Sequence, residues 1–304
     1  MDESSRIRSR LAQQLTQQQQ ILTPQQKSII KGNLNLYTAG SANYLDNVVS
    51  YSGIPFDGDF YLGTGDFTIE WFQNLTAGAT YPRVFSLGYF GPGPGSLTCS
   101  IAVSEEVNGA SRDIYYWRNS GGAYGGNNGN KFATVPAASL VGNWVHMALV
   151  RKSGVTRMYM NGSQLGSDLA DTTNIGNLEP YPNPSTFTGY NILAVGDEIP
   201  ETASTTFAGY ITSFRWTKGN AVYWGNFQPP VSALTPVTGT KLLLLNLNPN
   251  GLSVDSSGLN KTVLSQNVTA SCSIPYIPGN YYATSPSCVN LNTQTIQNQQ
   301  VYNS

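Results

Sequence analysis

Two periodicities divide the chain. Residues 4–22 (SSRIRSRLAQQLTQQQQIL) contain neither Gly nor Pro and carry Ile7, Leu11, Leu15 and Leu22 at intervals of four and seven. That spacing predicts one apolar stripe on a helix about 28 Å long at ~1.5 Å per residue. Thr23 then serves as an N-cap, with Pro24 at the first helical position and Gln26 three residues after the cap, so a second short helix is predicted to end at Gly32. The stripe is narrow and the other faces are rich in glutamine. Residues 1–36 therefore read as an assembly arm that needs another surface, with a disordered glutamine-rich tail as the competing reading.

From about Asn33 the pattern changes to short β-branched and aromatic runs separated by Gly, Asn, Pro and Ser, the pattern of an all-β sandwich or barrel. Strands are predicted over 67–73, 83–87, 98–103, 113–118, 144–152, 155–161, 192–196, 210–217 and 241–247. Phe67, Ile69 and Trp71 alternate with Thr68 and Glu70, which predicts one buried and one wetted face. In Trp144 to Val150 both alternating sets are largely apolar, which places that strand in the middle of the sandwich. Ser153-Gly154 marks a tight turn, and Asn161-Gly162 is the pair favoured in type I′ hairpins because both positions tolerate positive φ. Gly209 allows two backbones to approach closely. No repeat recurs at 20 to 50 residues, which argues against propellers and solenoids. After Cys272 the alternation is lost, and the end of the chain reads as an extended tail. The expected organisation is an arm (1–36), a sandwich (37–270) and a C-terminal tail (271–304).

Composition narrows the partners. The chain has 304 residues, of which only 11% are charged, with 16 Lys and Arg against 17 Asp and Glu. Phosphate neutralisation needs a clustered excess of cations, so nucleic acid is not an expected partner. Tyr, Gly, Asn, Gln, Ser and Thr carry the surface instead, a composition typical of β-rich proteins outside cells or in virus particles. The first ten residues, MDESSRIRSR, lack the apolar stretch of a secretory signal, and the longest aliphatic block, Leu242 to Leu245, is far short of a membrane-spanning helix. Synthesis in the cytoplasm without a signal peptide is the expectation. Three cysteines, Cys99, Cys272 and Cys288, leave at least one unpaired, and reduced thiols are expected. The sequons at Asn74, Asn161, Asn260 and Asn267 are expected to be unmodified.

Catalytic chemistry finds little support. Glu105-Glu106 and Asp197-Glu198 are adjacent pairs whose side chains point to opposite sides of an extended chain. They do not make the facing carboxylates of a glycosidase. His146 is the single histidine and lies inside a predicted strand, where a packed, hydrogen-bonded role is expected. The run Gly88 to Gly95 lacks the Lys-Ser/Thr ending of a phosphate loop. No enzyme activity is expected.

Three segments, Gly65-Asp-Phe-Thr-Ile-Glu-Trp-Phe72, Asn143-Trp-Val-His-Met-Ala-Leu-Val-Arg151 with Arg157-Met-Tyr-Met-Asn-Gly162, and Phe207-Ala-Gly-Tyr-Ile-Thr-Ser-Phe-Arg215, occur in an order that resembles the laminin-G-like branch of the concanavalin A-like jelly rolls. The resemblance covers about residues 45–265. With Thr217 to Tyr223, Asn226 to Pro230 and Asp255 to Gly258, it is similar to domains in structural proteins of tailed phages and large DNA viruses. It implies a jelly-roll β-sandwich and a non-enzymatic virion protein, a minor capsid or tail-fibre component whose partners are other capsid or tail proteins. The alternative it implies is a lectin-like, carbohydrate-binding module for host attachment. Relatives of this kind hold Ca²⁺ at the sandwich rim, and Asp197 and Glu198 in the loop 196–201 are the residues that could do so here. The candidate glycan site is the stretch 115–128, where Tyr116, Trp117 and Tyr124 offer aromatic faces and Asn127 and Asn128 offer paired amides. The competing reading is that Tyr116 and Trp117 only fill opposite faces of a strand.

Overall fold

The computed structural model describes residues 33–35, 51–55, 58–76, 80–88, 101–118, 128–176, 192–198, 204–245, 254–266 and 269–271. The two expected helices, with Ile7, Leu11, Leu15 and Leu22, lie outside the described residues, as do the three cysteines and the tail from 272 onward. What is described is an all-β sandwich. Its strands in chain order are β1 (Asn33–Asn35), β2 (Tyr51–Pro55), β3 (Phe67–Leu75), β4 (Arg83–Leu87), β5 (Ile101–Asn108), β6 (Ser111–Arg118), β7 (Asn128–Pro136) and β8 (Trp144–Lys152). They continue with β9 (Val155–Met160), β10 (Ser163–Ala170), β11 (Ile192–Val195), β12 (Gly209–Lys218), β13 (Thr240–Leu244), β14 (Leu264–Gln266) and β15 (Thr269–Ser271).

One sheet has the order β10-β9-β8-β3-β12-β1-β15, with β13 also on β12, and the other has the order β14-β2-β11-β4-β5-β6-β7. Pairing throughout both is antiparallel. Strands distant in sequence lie side by side, as in the expected jelly roll: β3 sits between β8 and β12, and β11 between β2 and β4. The hairpins follow their turn chemistry. Ser153 and Gly154 join β8 to β9 with φ of 49° and 76°, and Asn161 and Gly162 join β9 to β10 with φ of 49° and 77°. Both central residues are thus in the left-handed region, as a two-residue I′ turn demands.

Between the sheets, inward-facing residues interlock into one apolar cluster that includes Phe67, Ile69, Trp71, Phe85, Val103, Ile114, Tyr116, Leu149, Phe214 and Trp216. Trp71 and Phe85 meet edge to face at 5.7 Å, and Phe85 and Phe214 at 5.6 Å, a geometry that suits the ring quadrupoles. Gly209 is required by close approach, since a Cβ there would stand 2.3 Å from the Asn74 carbonyl oxygen.

The expectation of a wetted face on β3 does not hold. Thr68 and Glu70 are fully buried, because the segment 219–239, which has no regular secondary structure, is strapped across the outside of the first sheet. Val222 donates its N–H to Thr68 Oγ1 at 2.8 Å, and Phe227 donates its N–H to the Gly162 carbonyl at 2.9 Å. The strap's Ala221, Tyr223 and Phe227 pack on Ala148, Val150 and Tyr159. Cover on both sides is why the two alternating sets of β8 are both apolar. Under the strap, Glu70 Oε1 accepts from Arg215 Nε at 2.9 Å, and Oε2 accepts from the Tyr223 hydroxyl at 2.8 Å and meets His146 Nε2 at 3.1 Å. His146 is therefore a packed, hydrogen-bonded side chain.

The sandwich also extends past the expected N-terminal boundary at residues 36/37. β1 pairs with β12 through Leu34↔Ile211 and with β15 through Leu34↔Ala270. Asn33–Asn35 thus belong to the sheet and not to the arm.

Candidate binding face

The alternation of β6 decides which of its aromatic residues can meet a ligand. Ile114 and Tyr116 point into the core, so Asp113, Tyr115 and Trp117 point outward. Tyr116 is 0% exposed and donates its hydroxyl to Asp171 Oδ2 at 2.8 Å. Its assignment to a sugar-stacking role is corrected: the ring is part of the core and has no free face. Tyr115 faces outward instead. It stacks on Trp117 with centroids 5.5 Å apart and planes 28° from parallel.

Trp117 lies flat across three strands. A Cβ on Gly129 of β7 would stand 2.6 Å from its six-membered ring. On the other side its Nε1–H donates to Ser104 Oγ on β5 at 2.8 Å. Gly129 is thus the residue that lets the indole settle on the sheet, and any side chain there would lift it. Beside the rings runs a fixed polar network. Arg83 on β4 donates from Nε to Glu198 Oε2 at 2.7 Å and from Nη1 to Glu106 Oε1 at 3.1 Å, and its guanidinium lies 5.3 Å from the Trp117 ring centroid. Ser104 Oγ also donates to Glu106 Oε1 at 3.1 Å. Asp113 accepts from Thr134 Oγ1 and lies 3.4 Å from Lys131 Nζ. Burial pushes the Glu198 carboxyl above the usual carboxylate range, against the pull of Arg83.

The adjacent acids part as expected. Glu105 turns inward to accept from Gln73 Nε2 at 2.6 Å, whereas Glu106 turns outward to Arg83. Asp197 and Glu198 do not converge on a cation site. Asp197 is fully buried, and its carboxylate accepts from Glu198 N–H at 2.8 Å, Thr205 Oγ1 at 2.9 Å and Thr206 Oγ1. Burial raises its pKa well above the ordinary value. Glu198 is held by Arg83. The two acids are spent on protein donors that face different ways, which corrects their assignment as Ca²⁺ ligands. Among the described residues no three His, Cys, Asp or Glu side chains gather as a metal site. Tyr124 and Asn127 lie outside the described residues, and Asn128 opens β7 opposite Arg118.

The candidate stretch 115–128 includes Tyr115 and Trp117, whereas Arg83, Ser104, Glu106 and Gly129, all of which lie around the indole, are not among the sequence candidates. The parity of β6 was a usable signal, since Ile114 and Tyr116 share one face and Tyr115 and Trp117 the other. The contributions of β4, β5 and β7 depend on strand order, which periodicity does not encode.

The sequence profile of the concanavalin A-like lectin/glucanases superfamily matches residues 49–220. The chain belongs to this superfamily. Similar solved structures include a Bacteroides ovatus protein provisionally described as carbohydrate binding, at 15% identity and a TM-score of 0.47, with 80% of this chain and 62% of that one covered. Another is the heptameric SAP-like pentraxin of Limulus polyphemus, at 11% identity and 0.46, with 81% and 99% covered. A third is the CBM40 of a Ruminococcus gnavus sialidase bound to α2,3-sialyllactose, at 11% identity and 0.34, with 59% and 91% covered. These are likenesses of fold, and the chain spans under two thirds of the Bacteroides protein. No curated protein matches the chain in sequence. Among the described residues no helix is long and apolar enough to cross a membrane.

Proposed function

We propose that this member of the superfamily is a non-catalytic, lectin-like module that binds glycans on the outer face of its second sheet. The observation that carries the reading is the Tyr115–Trp117 pair, held flat across β5, β6 and β7 by Gly129 and Ser104. A fixed aromatic surface rimmed by donors and acceptors suits a sugar ring, whose C–H face stacks while its hydroxyls bond at the edge. The superfamily also contains glucanases, and a glucanase needs two carboxylates astride the scissile bond. On this face Glu106 and Glu198 are both tied to the single guanidinium of Arg83 and do not stand free on either side of a sugar-sized gap. A virion setting, with the segment before β1 as anchor to capsid or tail proteins, is the deployment the sequence suggests and forms the outer part of the proposal.

Glycan-array binding of the full-length chain, compared with Trp117→Ala and Gly129→Val, tests the site. Both variants should lose at least tenfold in affinity with an unchanged circular dichroism spectrum. Equal affinity in a folded Trp117→Ala protein would remove the face from the reading. Release of reducing sugar by the wild type, abolished in Glu198→Gln, would overturn its non-catalytic part.

A further inference from the structure

The strap on the opposite sheet carries an aromatic residue that the fold does not use. Tyr223 and Phe227 turn inward and stack on each other at 3.8 Å and 6°. Trp224 between them turns outward and keeps 38% of its surface exposed. The Arg157 guanidinium on β9 lies 3.9 Å from its ring centroid and Lys152 Nζ lies 5.7 Å from it. Leaving part of an indole in water forgoes some of the stabilisation that burial would yield, and the ring's described contacts are with cations and not with the apolar core.

Polar groups around the ring are already in place. Arg157 donates from Nε to Asp168 Oδ1 and from Nη2 to Asp168 Oδ2, each at 2.7 Å. Gln164 Nε2 donates to Asp168 Oδ1 at 2.9 Å, and Gln164 N–H donates to Asn226 Oδ1 at 3.1 Å. This chain runs from β9 through β10 to the strap residue two positions after Trp224. Regular strands hold three of its four members, so its geometry is set before any ligand arrives. Charge indicates the ligand class. The guanidinium is matched by the Asp168 carboxylate, and the Lys152 ammonium, which lies over the same ring 5.7 Å from its centroid, is a point charge, so the site has no unpaired planar fork for a carboxylate or phosphate. What it offers is an aromatic surface beside an array of amide, guanidinium and carboxylate groups, the complement of neutral hydroxyls.

We infer that Trp224, Arg157, Asp168, Gln164 and Asn226 form a second saccharide site, on the sheet opposite Trp117, for an uncharged sugar ring. The site stands independently of the Trp117 face. The chain's five tryptophans provide the readout, because each indole N–H gives its own signal in ¹⁵N-labelled full-length protein, and Trp224→Phe and Trp117→Phe assign the two that matter. Methyl glycosides of glucose, galactose, mannose and N-acetylglucosamine are titrated, with N-acetylneuraminic acid as the charged comparison. At least one neutral sugar should shift the Trp224 signal saturably, and Gln164→Ala and Asp168→Asn should each weaken that binding about tenfold. A Trp224 signal unmoved by all four, or movement of Trp117 alone, would overturn the second site. Saturation by the acidic sugar alone would overturn the uncharged assignment, and unchanged affinity in both polar variants would overturn the role of the network.

Discussion

Glu105 is a carboxyl group placed between the two sheets. It is fully buried, one oxygen accepts from Gln73, and the other has no hydrogen-bond partner among the described residues. Burial pushes its pKa from 4.5 up to about 7, against the Gln73 hydrogen bond and the charge of Arg112. The sign of the consequence follows from proton linkage. Below about pH 4.5 folded and unfolded chains both carry the proton and no penalty arises. As pH rises toward 7 the unfolded chain releases its proton first, so stability declines, and above 7 the loss levels off at roughly 3.5 kcal/mol at most. Glu105→Gln removes the ionisable group while keeping its shape. In urea unfolding the variant and wild type should agree near pH 4.5, and the variant should be about 1–3 kcal/mol more stable at pH 8. Parallel pH profiles for the two would show that Glu105 does not titrate in this range. Side chains at this scale were partly legible. The opposite directions of Glu105 and Glu106 follow from strand geometry, but the inward turn of Tyr116 required knowing that Ile114 shares its face.

At the scale of elements, the strap decides how much of the first sheet is dry. Glu70 is held ionised beneath it: burial pushes its pKa up, but the His146 hydrogen bond and the Arg215 charge outweigh that and bring it below the ordinary value. Glu70→Gln would leave the guanidinium of Arg215 buried without its counter-charge, at a cost of about 3–5 kcal/mol. Because Tyr223 also donates to Glu70, loosening should begin in the strap. Hydrogen exchange should therefore speed up in peptides covering 219–239 before it does in β8, and equal protection in variant and wild type would deny the ion cluster its fastening role. The same strap explains what the hydrophobic pattern could not show. Alternation in Phe67 to Trp71 tells which side chains share a face, but whether the Thr68–Glu70 face meets water depends on a segment some 150 residues later. β10, Ser163–Ala170, was missed for the opposite reason: it is a polar, mostly exposed edge strand containing Gly166, with no apolar alternation to betray it. The signal lay next door, because an I′ turn at Asn161-Gly162 obliges the chain to return alongside β9.

At the scale of the whole described sandwich, its first and last strands meet. β14 lies at the edge of one sheet and β15 at the edge of the other, separated in sequence only by residues 267–268, so the chain crosses between sheets at this border. β1 is inserted between β12 and β15 and joins the two ends of the described sandwich. An apolar pattern three residues long carries too little information to mark such a strand, and the boundary read from composition fell just beyond it. The difference separates an arm from a structural strand. Deleting residues 1–32 should leave the melting temperature of the sandwich unchanged, because β1 keeps both neighbours. Deleting residues 1–36 strips hydrogen-bonding partners from β12 and β15 together. With each kcal/mol worth roughly 2–4 °C in a domain of this size, and a few net hydrogen bonds at about 1 kcal/mol each, the longer truncation should melt several degrees lower. Calorimetry of the two truncations beside the full chain separates the cases. If the 1–36 deletion melts with the full-length protein, β1 contributes nothing to closure and the sandwich starts later. If the 1–32 deletion already melts lower, the first 32 residues are part of the folded unit, and their proposed role as a detachable anchor fails with it.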